Sequence, residues 1–328
     1  MAVRSEGQNW LRTGTTVLVL ALLSILIPQV APEYITILLT RSLIFSIAAL
    51  SLNILVGYTG LGHIGYAAFF AIGGYATAIL AVKVHAPMIV TLPVAIALAA
   101  AAAAIAALLL LRASGLYFLI ISLAIAMCIW GLIYRWVSLT GGDNGITGIP
   151  RAGMGIPWDV SSTKDFYYFI LIFFLTCLCL IVLTMKSPYG KTLLGIRDSE
   201  PRMRVLGFNV WFHKYLILVI TGGLAGLAGN LYAYYNTFIA PNVADLGNCM
   251  DFVLMVIIGG PGTILGPIIG SIVVVFLKEL VSVYTSRWLI FLGVAYILTA
   301  VYAPEGIVGL WYSYRRGKDR VKSPEASA

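Results

Sequence analysis

KSPYGKTLLGIRDSEPRMRVLGFNVWFHK, residues Lys186–Lys214, is the longest charged, helix-capable stretch in a chain that is otherwise almost continuously apolar. Apolar runs of about 20 residues flank it, the length that crosses a hydrocarbon core. A stretch with this many ionised groups sits in water or against another protein, while its neighbours sit in lipid. The rest of the sequence is read outward from that division.

Of the 328 residues, 60% are hydrophobic and 10% charged, with a mean hydropathy of +0.96. Soluble domains carry roughly 25% charged residues, so a water-soluble fold is excluded. A closed barrel would show short alternating strands in place of long apolar blocks. The fold class expected is an all-α integral membrane protein, a polytopic bundle of about 8–10 transmembrane helices with two glycine-rich broken segments. Residues 1–328 form one transmembrane domain, with 186–214 as a polar loop and 304–328 as a basic tail. The spans are expected near 15–31, 34–56, 66–83, 88–111, 115–137, 166–185, 214–237, 250–267, 268–284 and 287–303. The N-terminal run resembles a signal peptide, but no small-x-small cleavage site follows it and Pro28 and Pro32 interrupt it, so it reads as a retained first helix.

The net charge of +8 belongs to membrane orientation, not to nucleic acid. Cytoplasmic loops collect Lys and Arg. With the N-terminus inside, beside Arg4 and Arg12, alternation puts 83–88 and 138–165 outside and 186–214 inside. The inner side then holds Arg112, the loop cations Lys186, Lys191, Arg197, Arg202, Arg204 and Lys214, and the tail's Arg315, Arg316, Lys318, Arg320 and Lys322. A cytoplasmic tail requires 250–267 to cross, and this segment reads as a half-helix that dips and breaks. Cys128, Cys177, Cys179 and Cys249 lack metal-ligand spacing and read as buried, reduced packing residues.

Two glycine-rich interruptions fall inside the apolar blocks: GYTGLGHIGYAAFFAIGG at Gly57–Gly74 and GGPGTILGPIIG at Gly259–Gly270. Broken backbone at membrane depth needs partners, so it lies inside protein or lines a water-filled cavity. The plainer alternative is close helix packing through small faces. That alternative fits Gly222, Ala225, Gly226 and Gly229 and the alanine run between Thr91 and Leu111. For the two long breaks a translocation pathway is expected, by analogy with broken transporter helices. Its lining would include Asn53, Gly57, Gly60, Gly62, His63, Gly65, Tyr66, Gly259, Gly260, Gly262 and Gly266. Thr140–Pro150 is a glycine-rich outer loop, either a flexible connection or a surface for an extracellular partner.

Arg41, Lys278 and Glu279 are ionisable residues within spans. They read as structural, Arg41 snorkelling or reaching Glu33 and the other two snorkelling. His63, His85 and His213 are far apart, and no phosphate loop, HExxH or GxSxG occurs. The chain itself should neither bind nor hydrolyse ATP. Within the polar stretch, Ser187–Gly190 reads as a turn. Asp198, Ser199 and Glu200 are N-cap candidates, Pro201 suits a first helical turn, and Arg202–Leu206 a short helix closed by Gly207. Val205, Leu206 and Phe208 beside Arg202 and Arg204 make an amphipathic plug, suited to a groove on a soluble partner or to anionic headgroups.

Five stretches, in order from Leu52 to Glu279, carry a resemblance: LNILVGYTGLGHIGYAAFFAIGGYA from Leu52, LTGGDNGITGIP from Leu139, GIRDSEPRMRVLGFNVWFHKY from Gly195, LAGLAGNLYAYYNTFIAPN from Leu224 and MVIIGGPGTILGPIIGS from Met255. Together they resemble the permease subunits of bacterial high-affinity branched-chain amino-acid ABC importers, the LivM-like type. The resemblance implies a second homologous permease subunit, two cytoplasmic ATP-binding subunits and a periplasmic substrate-binding protein. ATP and Mg would bind the partner ATPases, with no cofactor on this chain. The location implied is the bacterial inner membrane, multi-pass, with both termini cytoplasmic. Coupling to the ATPase would fall on Gly195, Arg197, Asp198, Glu200, Arg202, Arg204 and Gly207, with Pro201 and Met203 where small residues are usual. His63 and Tyr66 likewise depart from the commoner family types.

The function expected is a permease subunit for branched-chain or hydrophobic amino acids. Urea, short amides or other small amino acids are the alternatives within the family. An ion-coupled secondary transporter is the alternative from another class, and a membrane-embedded enzyme finds no catalytic constellation.

Overall fold

The computed structural model describes residues 28–29, 31–151, 160, 162–284, 290, 293–294, 296–297 and 306–309. Most of the expected spans 15–31 and 287–303, and most of the tail 304–328, lie outside the described residues.

Helix α1, Glu33–Asn53, starts after Pro32 with an acidic residue in its first turn and runs into a π-helical turn, Ile54–Thr59. That turn stops at Gly60, whose φ of +75° suits a residue without Cβ. An irregular segment leads to α2, Ala67–Lys83. Then follow α3, Met88–Leu110; α4, Leu116–Arg135; and a single turn, α5, Val137–Thr140. A two-residue strand, β1, Ile146–Thr147, precedes α6, Thr163–Lys186. The polar stretch folds as α7, Pro188–Asp198, and α8, Glu200–Val205, before the long α9, Val210–Asn236. Strand β2, Phe238–Ile239, a 3-10 turn, Pro241–Ala244, the half-helix α10, Leu246–Gly259, and α11, Leu265–Tyr284, complete the described chain.

Among the described residues, six helical segments are long and apolar enough to cross a membrane: Glu33–Thr59, α3, α4, α6, α9 and α11. Helices α2 and α10 are apolar but shorter. This is the expected all-α polytopic membrane fold.

Cross-links at the helix ends fix which loops share a face. Lys83 Nζ donates to the carbonyls of Ser138 and Leu139 at 2.8 and 2.9 Å. Strand β1 pairs antiparallel with β2, Ile146 opposite Ile239, and Thr163 donates to Glu33 at 2.7 Å. Loops 83–88, 138–151 and 237–240 therefore gather at one end. Residues 59–62, 111–115 and 196–200 surround one cavity at the other. This is the grouping that alternation predicts.

The core is held by close backbone approach. A Cβ on Gly222 would stand 2.3 Å from the Ala103 methyl, and one on Gly226 2.4 Å from the Ala99 methyl. Gly73 and Gly229 allow α2 equally near α9. Thus the alanine run and the α9 glycines are a packing face, as read from sequence. The opposite faces of α3 and α4 leave Ile89, Leu98, Ile105, Leu109, Ile120 and Leu132 exposed.

The structure corrects several expectations. The segment read as 250–267 is instead Leu246–Gly259, with the break at 260–264. Fourteen residues span only about 21 Å, less than the ~30 Å core. The 3-10 turn before it packs on α2 and α4. Arg41 pairs with Glu279, not Glu33, and lies over the Phe45 ring. Lys278 does not simply snorkel; it pairs with Asp251 at 2.8 Å. Intramembrane charges are costly enough that pairing wins over reaching the interface. Ser187–Gly190 is no turn: Ser187 caps α7, accepting from the Gly190 amide at 3.4 Å, with Pro188 in the first helical position. Cys177 and Cys249 are buried as expected, but Cys128 and Cys179 are exposed on outward helix faces.

Replacing Gly226 with Val should force α9 off α3 and cost about 1–3 kcal/mol by overpacking. The expected result is a lower Tm of the detergent-purified chain than for Gly131→Val, a position where a Cβ meets no atom within 4 Å.

Candidate functional site

The two glycine-rich breaks meet. Asn53, buried at the end of α1, reaches the second break with both ends of its side-chain amide. Its Nδ2 donates to the Thr263 carbonyl at 2.8 Å, and its Oδ1 accepts from the Gly262 amide at 2.9 Å. One amide thus satisfies a donor and an acceptor that the break at 260–264 frees inside an apolar bundle. Thr263 completes the turn, donating to the Gly260 carbonyl at 2.8 Å and accepting from the Gly266 amide at 3.1 Å.

Glycine is required where these segments touch. A Cβ on Gly57 would lie 2.2 Å from the Gly262 amide nitrogen, and one on Gly259 1.9 Å from the Gly266 carbonyl oxygen. Gly260 and Gly262 also have φ of +119° and +79°. The described segment 306–309 arrives at this same place, with Gly306 against Gly260.

The first break is anchored further along. The Ile64 amide donates to Ser122 Oγ on α4 at 3.2 Å, and Gly65 packs on the Ser122 carbonyl. Tyr66 is fully buried; its hydroxyl donates to the Thr221 carbonyl on α9 at 2.8 Å and contacts Ser51 Oγ. His63 is buried among Tyr66, Phe69 and Phe118, at centroid distances of 6.1, 5.6 and 6.0 Å, and neither ring nitrogen has a hydrogen-bond partner among the described residues. His63 and Tyr66 therefore belong to the buried wall of the break. Gly60 and Gly62 line the cavity.

The polar stretch reaches directly into this joint. Arg197, in the last turn of α7, donates through Nη1 to the Gly57 carbonyl. A Cβ on Gly262 would lie 3.1 Å from the same Nη1, and one on Gly60 3.2 Å from Arg197 Cγ. One guanidinium thus touches the first break and abuts the second. The sequence reading placed Arg197 and the glycines in separate sites; the fold makes them one.

Helices α7, α8 and α9 are fastened to one another. Met203 packs with Ile196 and Val210 in a small separate core, its sulfur 2.7 Å from where a Gly195 Cβ would be. This gives Met203 and Gly195 complementary roles. Glu200 accepts from Arg204 Nη2 and from Lys214 Nζ, both at 2.6 Å. Burial alone would raise the Glu200 carboxyl; the hydrogen bonds and charges of Lys214 and Arg204 outweigh it and hold the carboxyl below its ordinary value. Ser199 begins α8 in extended conformation and Gly207, at φ +87°, ends it, the Phe208 amide donating to the Met203 carbonyl at 3.1 Å. Asp198 and Arg202 are exposed. Val205 is 88% exposed and Leu206 64%, with Phe208 beside them, an apolar face that nothing covers among the described residues.

Comparison with known proteins places this architecture. The family model described as branched-chain amino acid transport system / permease component matches residues 34–301. The chain is 27% identical, over 292 residues covering 82% of it and 68% of the relative, to the high-affinity branched-chain amino acid transport system permease protein LivM of Escherichia coli (strain K12). It is 27% identical over 196 residues, 57% of the chain and 62% of the relative, to the corresponding LivH permease protein of Salmonella typhimurium. A tyrosine transport system permease protein of Clostridioides difficile is 34% identical over 89 residues, 27% of the chain and 30% of the relative. No solved structure matches.

Asn53→Ala leaves the Gly262 amide and the Thr263 carbonyl unpaired in an apolar setting, at about 1–3 kcal/mol for each orphaned group. The expected outcome is faster amide hydrogen exchange confined to 54–66 and 258–266. Because the Glu200 carboxyl is held low, its anchorage is complete above the ordinary carboxylate range and is lost as pH falls through the depressed value. Glu200→Gln should raise exchange in 200–207 at neutral pH, after correction for intrinsic rates, and the wild type should match it only in acid.

Proposed function

The chain belongs to the branched-chain amino acid permease family, as a multi-pass membrane transport subunit, and on that premise we propose that it is the coupling half of an ATP-driven importer for hydrophobic amino acids. The observation that carries this reading is the Arg197–Gly57 bond, which joins the polar stretch to the place where both broken segments meet. A partner ATPase seats on the exposed face of α8, Val205, Leu206 and Phe208. Its closure displaces α8, and the Met203 core and the Glu200 pairs carry that displacement into α7 and α9. Arg197 delivers it to Gly57 and Gly262, and the breaks open or close where they meet. Hydrolysis belongs to the partner, with ATP and Mg on that subunit; this chain supplies alternating access.

The relatives named LivM and LivH support a pair of permeases, one of each kind. In this reading the second permease covers part of the exposed apolar surface of α3 and α4, and two ATPases and a periplasmic binding protein complete the importer in the bacterial inner membrane. Both chain ends lie in the cytoplasm, with the polar stretch. The Gly306–Gly260 contact, at the end of the bundle that holds the polar stretch, supports that placement of the tail. Branched-chain amino acids are the first substrates to test. Urea and short amides are the alternatives.

The test is uptake of labelled leucine into proteoliposomes holding both permeases, the ATPases and the binding protein. Leu206→Glu should lower ATPase recovery with the tagged permease about tenfold or more, because it buries a charge in an apolar contact. Gly62→Leu, whose side chain would run into Leu119, should block uptake with ATPase recovery unchanged. Leucine uptake driven by an ion gradient with no ATPase present would refute the importer reading.

A further inference from the structure

At the end of the bundle that holds the polar stretch lies a cavity of about 500 Å³, bounded by the α3–α4 loop, the first break and the α7–α9 unit. Four cations line it, Arg112, Arg197, Arg204 and Lys214, against two acids, Asp198 and Glu200. The acids do not cancel the cations evenly. Glu200 is committed to Arg204 and Lys214, and each of these cations has further donors. Arg197 spends Nη1 on the Gly57 carbonyl and keeps the rest of its fork. The guanidinium of Arg112, on the α3–α4 loop, has no ion pair or hydrogen bond among the described residues. The hydroxyls of Ser114 and Ser199, also in the lining, have no protein partner among the described residues either.

A concave site with surplus guanidinium donors and free hydroxyls, in which the exposed Asp198 pairs with none of the four cations among the described residues, matches the three or more acceptor oxygens of a phosphate group. Its surroundings fit a lipid–water boundary. Leu116 and Tyr117, which open α4, are 74% exposed, and Trp211, in the lining, is stacked on Tyr215 at 5.2 Å. Aromatic and apolar side chains at helix ends sit at headgroup level. We propose that this cavity binds a phosphate-bearing anion, the headgroup of an anionic phospholipid or a free phosphate. Seated there, the anion bridges Arg112 to Arg197 and Arg204, and so ties a fixed loop to the segment that moves. Occupancy thereby sets how freely α7 and α8 shift against the breaks.

The experiment titrates the purified full chain, in a neutral detergent, with phosphatidylglycerol, phosphatidylcholine or inorganic phosphate and follows Tm. Phosphatidylglycerol should raise Tm saturably and phosphatidylcholine should not. A saturable rise with inorganic phosphate as well identifies the free anion as a sufficient ligand; a rise with the lipid alone identifies the headgroup. Arg112→Gln should weaken half-saturation about tenfold, the loss of one charge-assisted contact. Ser114→Asp, on the same exposed loop, should weaken it at least as much. Lys191→Gln, on the exposed side of α7 outside the cavity, should leave it unchanged. The proposal is overturned if none of the anions shifts Tm, if phosphatidylcholine acts equally, or if Lys191→Gln matches Arg112→Gln. It is also overturned if Arg112→Gln lowers ATPase recovery while lipid binding is unchanged, since the cavity is then part of a protein interface.

Discussion

The structure depends on one buried side-chain amide. A helix that breaks in an apolar bundle exposes backbone donors and acceptors that water cannot reach, and each unpaired group costs on the order of several kcal/mol in hydrocarbon. Asn53 answers this with both of its ends, holding the Gly262 amide and the Thr263 carbonyl across two separate breaks. Amide pairing of this kind is short-ranged, so the breaks must lie in contact. The glycines follow from that contact, since a Cβ at Gly57 would overlap the Gly262 backbone. Asn53, Gly57 and Gly262 are thus one device.

Arg197 connects this device to the outside of the bundle. Its guanidinium donates to the Gly57 carbonyl, freed by the π-helical turn, so the bond stabilises the break and the docking of α7 together. The turn's wider hydrogen-bond spacing is a local departure from α-helix of a kind frequent at functional sites. The packed faces elsewhere, such as Gly222 and Gly226 on the α3 alanines, leave little room for sliding. The joint differs in kind, its close backbone contacts being held by the Asn53 and Arg197 hydrogen bonds. The ion pairs Arg41–Glu279 and Lys278–Asp251 hold α11 to α1 and α10 behind it.

Much of this was legible in the sequence, and the reasons differ from element to element. Long apolar runs mark the spans because hydrocarbon thickness sets their length, and Gly207 marks the end of α8 because of its backbone freedom. The small-residue faces were equally readable. What periodicity and composition do not carry is which distant segments meet. Asn53 was named among the pathway residues, yet nothing in its neighbourhood says that it pairs with Gly262 and Thr263. Arg41 pairs with a residue 238 positions away, in place of nearby Glu33. Asp251 went unremarked because its charge is hidden in an apolar helix; an acid in such a helix with a lysine on the next one is the signal that could have found the pair. Ser187–Gly190, where α7 begins, reads as a turn because Pro188 and Gly190 are turn residues by composition. Proline is also at home in the first helical position, and Gly190 is there to let α7 fold back against the Met185 backbone. Met203, out of place by family habit, is the residue that fastens α8 to α7 and α9.

The central claim is that motion of the polar stretch reaches the breaks through Arg197. The most direct measurement is the number of ATP molecules hydrolysed per amino acid imported by the reconstituted complex carrying Arg197→Ala. The account predicts that ATPase assembly and hydrolysis persist while uptake falls about tenfold or more, so that the ratio rises by the same factor. An unchanged ratio, with uptake near the wild-type rate, would contradict it.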